Sequence, residues 1–158
     1  MAGALILLVA LASAQAGEWP RWRGPDGTGI VPDADWRPEA LAEGPKILWK
    51  ASLGAGHSSV AVADGRVYTM GHPDADDVVY CLDAGTGKEL WRHAYPCPVG
   101  EYGATQATPV VDGGLVYTLS REGLALCLDA ATGGLRWTRD LVKDLGAEPL
   151  RWGMSGSP

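Results

Sequence analysis

From residue 57 onward, short apolar runs recur along the chain, each closed by turn-forming residues. Val60, Val62, Val67 and Tyr68 flank Asp64-Gly65, and Val110, Val111, Val116 and Tyr117 flank Asp112-Gly113. Runs of β-branched and aromatic residues bounded in this way read as strands. Asp-Gly suits a tight hairpin, because the turn needs positive φ and glycine supplies it. A third strand is expected from Val78 to Leu82, matched by Leu124 to Leu128. A fourth is expected from Lys88 to Ala94, matched by Leu135 to Leu141. The pattern therefore predicts two sets of four short antiparallel strands, over 57–95 and 106–141.

The two sets are copies of one unit. Residues 81–91 and 127–137 share Cys, Leu, Asp, Ala, Thr, Gly and Trp, seven of eleven positions. The Val-Tyr-Thr triplets begin at 67 and 116, and the Cys-Leu-Asp-Ala phrases at 81 and 127. The three-residue difference falls in one place, where the polar loop 71–77 shrinks to Ser120-Arg121-Glu122-Gly123. Length change confined to a polar loop is expected of a duplicated unit. Ser157-Pro158 follows Thr108-Pro109 by 49 residues, so a third unit begins near 152–158.

Within each unit, Asp83, Thr86 and Gly87, and likewise Asp129, Thr132 and Gly133, have the spacing of a self-bonded turn. Asp and Thr side chains can bond backbone N–H groups there, and glycine takes the conformation other residues avoid. Trp91 and Trp137 follow at a fixed distance, each a large apolar surface with one donor. A Trp at one site in every unit is expected to pack against the next unit. Four-stranded antiparallel units of about 46 residues, joined in series, describe an all-β fold, a β-propeller. A β-sandwich would not require the same turn and Trp in each unit. Two blades and the start of a third are expected here, as an N-terminal piece of a ring of seven or eight. Such a parent would have roughly 370–430 residues.

Residues 1–16 read as an export leader. Ala4 to Leu11 form an apolar run too short to span a bilayer, though no Lys or Arg precedes it. Ala12-Ser13-Ala14 and Ala14-Gln15-Ala16 are small-x-small cleavage sites; a buried N-terminal strand is the alternative. Residues 17–45, rich in Pro, Gly, Asp and Trp, read as an ordered, irregular lead-in, followed by a lone strand at 46–52 carrying Trp49. In a closed ring that strand completes the last blade. The mature chain is expected outside the cytoplasm, in the periplasm or medium of a bacterium, with no membrane span.

Composition narrows the chemistry. The net charge is −6 with no basic cluster, which disfavours nucleic-acid partners. Phe is absent while Trp occurs seven times, so Trp carries the aromatic burial. Cys81 and Cys127 share a repeat position and are expected as small buried residues too far apart to pair, with Cys97 as a loop thiol. His57, His72 and His93 form no short-spaced ligand pair, so zinc is not supported. His57 either faces the axial channel or sits in a loop, and the loop is the expectation. The run Asp74-Ala75-Asp76-Asp77 lacks the spacing of a Ca²⁺ loop and is expected to be a solvated turn. Arg21 and Arg23 beside Trp22 could hold an anion; pairing within the lead-in is the expectation.

The phrase at 81–91 resembles the tryptophan-docking motif of pyrroloquinoline-quinone-type (PQQ-like) repeats, Ala-x-Asp-x-x-Thr-Gly-x-x-x-Trp. Asp83, Thr86, Gly87 and Trp91, and Asp129, Thr132, Gly133 and Trp137, match it, with Cys81 and Cys127 in place of Ala. Trp19-Pro20-Arg21-Trp22-Arg23-Gly24-Pro25-Asp26-Gly27 resembles the start of exported bacterial PQQ-like propellers. The resemblance covers about residues 18–158. It implies a BamB-like, non-catalytic scaffold or binding module with no cofactor, its protein partners on propeller loops or the top face. The alternative within the same resemblance is a quinoprotein oxidoreductase acting on alcohols or sugars. That enzyme would need PQQ and calcium, an Asp base, Glu and Asn ligands and an adjacent-Cys disulfide. No residue here matches the base or the ligands, and no two Cys are adjacent.

Overall fold

The computed structural model describes residues 17–31, 37–101 and 103–158. The leader expected at 1–16 lies outside the described residues. A four-residue 3-10 helix at Pro38–Leu41 precedes eight strands. These are β1 Ala61–Ala63, β2 Arg66–Gly71, β3 Asp76–Asp83, β4 Glu89–Pro96, β5 Val110–Asp112, β6 Leu115–Leu119, β7 Leu124–Asp129 and β8 Leu135–Asp140. They form two antiparallel four-stranded sheets, ordered β1-β2-β3-β4 and β5-β6-β7-β8. The fold is all-β and of the β-propeller type, with each sheet one blade.

Alternation explains how the first sheet is buried on both faces. On β3, Val79 and Cys81 enter a core shared with Val111, Val116, Leu126 and Leu128 of the second sheet. Their neighbours Val78, Tyr80 and Leu82 face the other way, under Trp49 and Leu53. A period of two sends successive side chains to opposite faces. An apolar run with no polar break is therefore what a blade covered on both sides needs.

The register shifts between Cys81 and Leu82, and again between Cys127 and Leu128. Each bulge inserts one residue into the fourth strand, so Trp91 stands opposite Cys81 and Trp137 opposite Cys127. A bulge bends its strand and re-aims a side chain. Here it is copied with the unit.

Three expectations need correction. The second hairpin turns at Gly113-Gly114, with φ of 54° and 76°, because Asp112 still pairs with Leu115 in the ladder. Both central positions need positive φ, and in the first unit Asp64 at 51° and Gly65 at 69° fill them. The fourth strand of the second unit ends at Asp140, not Leu141. A short helix, α1 Leu141–Leu145, follows, since the Asp140 side chain accepts from the Val142 and Lys143 amides and Gly146 closes it at φ 68°. Asp before and Gly after a short apolar stretch is the signal that was there to be read. The third correction concerns Asp76 and Asp77, which belong to β3, with Asp77 1% exposed, so the solvated turn covers only residues 73–75.

Residues 46–52 carry no ladder pairing among the described residues. Ile47 and Leu48 are exposed, and Trp49 alone anchors the segment. No helix among the described residues is long and apolar enough to cross a membrane.

Candidate functional site

The paired turns form the docking sites of Trp49 and Trp91. Asp83 Oδ1 accepts from the Thr86 amide at 2.8 Å and the Thr86 hydroxyl at 2.6 Å. Asp129 Oδ1 accepts from Thr132 in the same way, both at 2.9 Å, and from the Ala131 amide at 3.1 Å. The bonds favour the ionised form. Thr86 thus holds Asp83 below the ordinary carboxylate range. Asp129 gains a further partner in Arg136, at 2.6 Å, which with Thr132 lowers it to about 2.

Each closed turn presents a carbonyl and a bare α-carbon to a Trp from the neighbouring element. Trp91 Nε1 donates to Ala130 O at 3.0 Å, and a Cβ on Gly133 would fall 2.6 Å from the Trp91 ring. Arg66 and Tyr68 donate to the same carbonyl, at 2.9 and 3.3 Å. Trp49 repeats the arrangement on the first turn. Its Nε1 donates to Ala84 O at 2.9 Å, and a Cβ on Gly87 would fall 2.5 Å from its ring. Trp137 stands in the same register but is 45% exposed, resting on Tyr117 at 6.2 Å between centroids. The two Asp-Thr-Gly sets close their turns and Trp91 docks on the second of them, while Trp137 rests on its own sheet. Trp137 flanks an open cleft with Arg139.

A second constellation lies between the lead-in, the segments that precede β1 and β5, and residues 155–157. A pocket of about 290 Å³ is lined by Trp22, His57, Gln106, Thr108, Ser155 and Ser157. His57 sits outside any strand, at the expected loop position, and lines this pocket. Its amide donates to Thr105 O at 2.7 Å. The hydroxyl positions follow the repeat. Ser59 N donates to Thr108 Oγ1 at 3.1 Å, and Thr108 N donates to Ser157 Oγ at 3.3 Å, both across 49 residues. One repeat position in each unit thus ties its predecessor, and the lining is rich in hydroxyls and holds no Asp, Glu, Lys or Arg.

A third cluster is buried. His72 Nδ1 lies 2.9 Å from Asp77 Oδ1, and the Tyr95 hydroxyl reaches Asp77 Oδ2 at 3.5 Å. Cys97, expected as a loop thiol, is 3% exposed, and burial with the Asp77 carboxylate beside it pushes its thiol up to about 12. A thiol held protonated is a poor nucleophile. All three cysteines are free and buried. Arg21 bonds Pro25 O and Arg23 bonds Thr28 O, so both guanidinium groups serve the lead-in. Among the described residues no group of three His, Cys, Asp or Glu could hold a metal ion.

Comparison with known proteins adds the family. A model described as outer membrane protein assembly factor BamB matches residues 39–105 and 75–153. The quinoprotein alcohol dehydrogenase PedH of Pseudomonas putida is 29% identical over 155 residues, covering 95% of this chain and 23% of that protein. A 1-butanol dehydrogenase (cytochrome c) of Thauera butanivorans is 30% identical over 150 residues, covering 88% of this chain and 21% of its own. The solved structure of quinohemoprotein alcohol dehydrogenase ADHIIG from Pseudomonas putida HK5 is similar with a TM-score of 0.52 and 27% identity. It covers 70% of this chain and 16% of that one. The chain spans less than a quarter of the length of the curated relatives it matches.

Proposed function

The chain belongs to the PQQ-like repeat family described as outer membrane protein assembly factor BamB, and on that premise we propose that it acts in an exported, non-catalytic propeller that binds a polypeptide partner. The observation that carries this reading is the lining of the His57 pocket. An indole, an imidazole, an amide and three hydroxyls line it, with no carboxylate and no Lys or Arg among them. Such a set suits peptide amides, which are neutral and two-sided. Elsewhere, Asp83 and Asp129 are committed to their turns and Asp77 to His72.

The relatives' names support a second reading, a quinoprotein alcohol dehydrogenase. PQQ is an ortho-quinone with three carboxylates. It calls for cationic donors, and its calcium calls for carboxylate oxygens. The residues lining the pocket offer no Lys, no Arg and no carboxylate, so they do not fit that group.

The test is binding by fluorescence anisotropy. The probe is a labelled ten-residue peptide of alternating polar and β-branched residues. Saturable binding is expected, weakened about fivefold by Gln106→Ala, which removes one hydrogen-bonding group worth about 1 kcal/mol. PQQ with Ca²⁺ is not expected to compete. Competition by quinone, together with alcohol-dependent dye reduction, overturns the proposal in favour of the enzyme.

A further inference from the structure

We propose that the inner edges of the two sheets form a groove for an extended, basic polypeptide strand, and that Trp19 and Pro20 occupy this groove in cis. The inference deepens the polypeptide-binding reading and rests on it.

Val62 and Val111 lie 49 residues apart, at one repeat position, each in the middle of a three-residue inner strand. They pair with Val67 on β2 and Val116 on β6. Their own amides point away from those ladders. Val62 N donates to Trp19 O at 2.9 Å, and Val111 N donates to Pro20 O at 2.8 Å. Trp19 N returns a bond to Val62 O at 2.8 Å, while Pro20 has no N–H to return. Two successive carbonyls of one extended segment therefore satisfy one edge donor from each blade. An edge strand exposes such donors by construction, and a peptide that adds to the edge is recognised through its main chain.

The grip on the lead-in is thin. Beyond those three bonds, Glu18 accepts from the Asp64 amide at 3.2 Å. Trp19 packs on the lead-in itself, where a Cβ on Gly24 would fall 2.7 Å from its ring. Trp22 is 56% exposed. Main-chain recognition tolerates other sequences, so a second extended strand with carbonyls at this spacing can take the same donors. Flanking clefts add preference. Trp22 lines the pocket beside His57 and Gln106. On the other flank Arg21 lines a cleft of about 400 Å³ with Asp112 and Tyr117. An acidic group there, on a chain of net charge −6, favours a basic side chain after the bound carbonyls.

The experiment uses the full chain and a labelled, end-blocked peptide of residues 17–24 added in trans. Trp19→Ala loosens the cis segment. The peptide is expected to bind this variant about tenfold more tightly than wild type, since occupancy in cis reduces the binding-competent fraction. Adding Val111→Pro removes an amide that serves no ladder bond, a substitution edge strands tolerate, and is expected to weaken binding at least about tenfold. A second measurement covers a variant that fails to fold. Amide exchange at Val62 and Val111 should be slow in wild type, fast in Trp19→Ala and slow again with peptide. Equal binding to wild type and Trp19→Ala overturns the groove, as does protection at both amides that ignores the peptide. If the alternating peptide still binds the Val111→Pro chain and weakens only with Gln106→Ala, the groove fails and the polypeptide reading stands. Absence of binding by either peptide overturns both.

Discussion

Asp129 ties its turn together with one oxygen and holds Arg136 with the other, and both ties act on the ionised carboxylate. Its pKa of about 2 lies below the ordinary value of about 3.9. A lowered carboxylate contributes stability that is complete above the unfolded pKa and is lost as pH falls through the folded one. Wild-type melting temperature is therefore expected to drop between about pH 4 and pH 2 more steeply than that of Asp129→Asn. Melting curves of the two chains across that window check it. Parallel curves would show that the turn does not depend on the charge. Asp83 is shifted in the same direction, so the variant flattens the acid limb only in part. The Asp–Thr turn could be read from spacing, because its partners lie within three residues. The Arg136 contact could not, since the bulge decides which side chains of β8 turn toward Asp129.

Between elements, the docked Trp is the unit of attachment. Trp91 is 9% exposed and joins the first sheet to the second turn, while Trp137 is 45% exposed on β8. Trp91→Ala is expected to cost about 3–5 kcal/mol, as for a large buried aromatic. Trp137→Ala is expected to cost about 1 kcal/mol or less, as for a half-exposed side chain. Urea unfolding of both variants separates them. Equal losses would mean that docking on a neighbouring turn adds nothing to burial within a Trp's own sheet. The repeat made both positions legible. It did not show that Trp49, in a segment with no strand partner, docks on Ala84 as Trp91 docks on Ala130.

At the scale of the molecule the two sheets are unequally covered. The first is packed on both faces, by the second sheet and by Trp49 and Leu53. The second leaves every residue of β8 except Asp140 exposed, with Leu135 at 51%. An apolar face of this kind is an association surface. Concentration-dependent self-association of residues 17–158 is expected, and Leu135→Ser with Trp137→Ser should shift the chain toward monomer. Size-exclusion chromatography with light scattering reads the difference. Identical elution of both chains at all concentrations would remove this face as the cause.

The two sets of four strands, hairpin sites to within a residue, the Asp-Thr-Gly turns and the all-β class were determined by the sequence alone, whereas the strand expected at 46–52 finds no ladder partner among the described residues. Each rests on interactions that reach only a few residues along the chain, or on a repeat that displays its own period. What the tertiary structure decided lies between segments far apart in sequence. It buried Asp77 and Cys97 together with His72 and Tyr95, turning a polar loop and a loop thiol into one enclosed network. It set His57 beside Ser155 and Ser157, nearly a hundred residues on. It laid Trp19 and Pro20 across the amides of Val62 and Val111. No local rule encodes these meetings, because chain direction after each turn depends on how the blades pack, and packing is a sum over surfaces that only folding brings together.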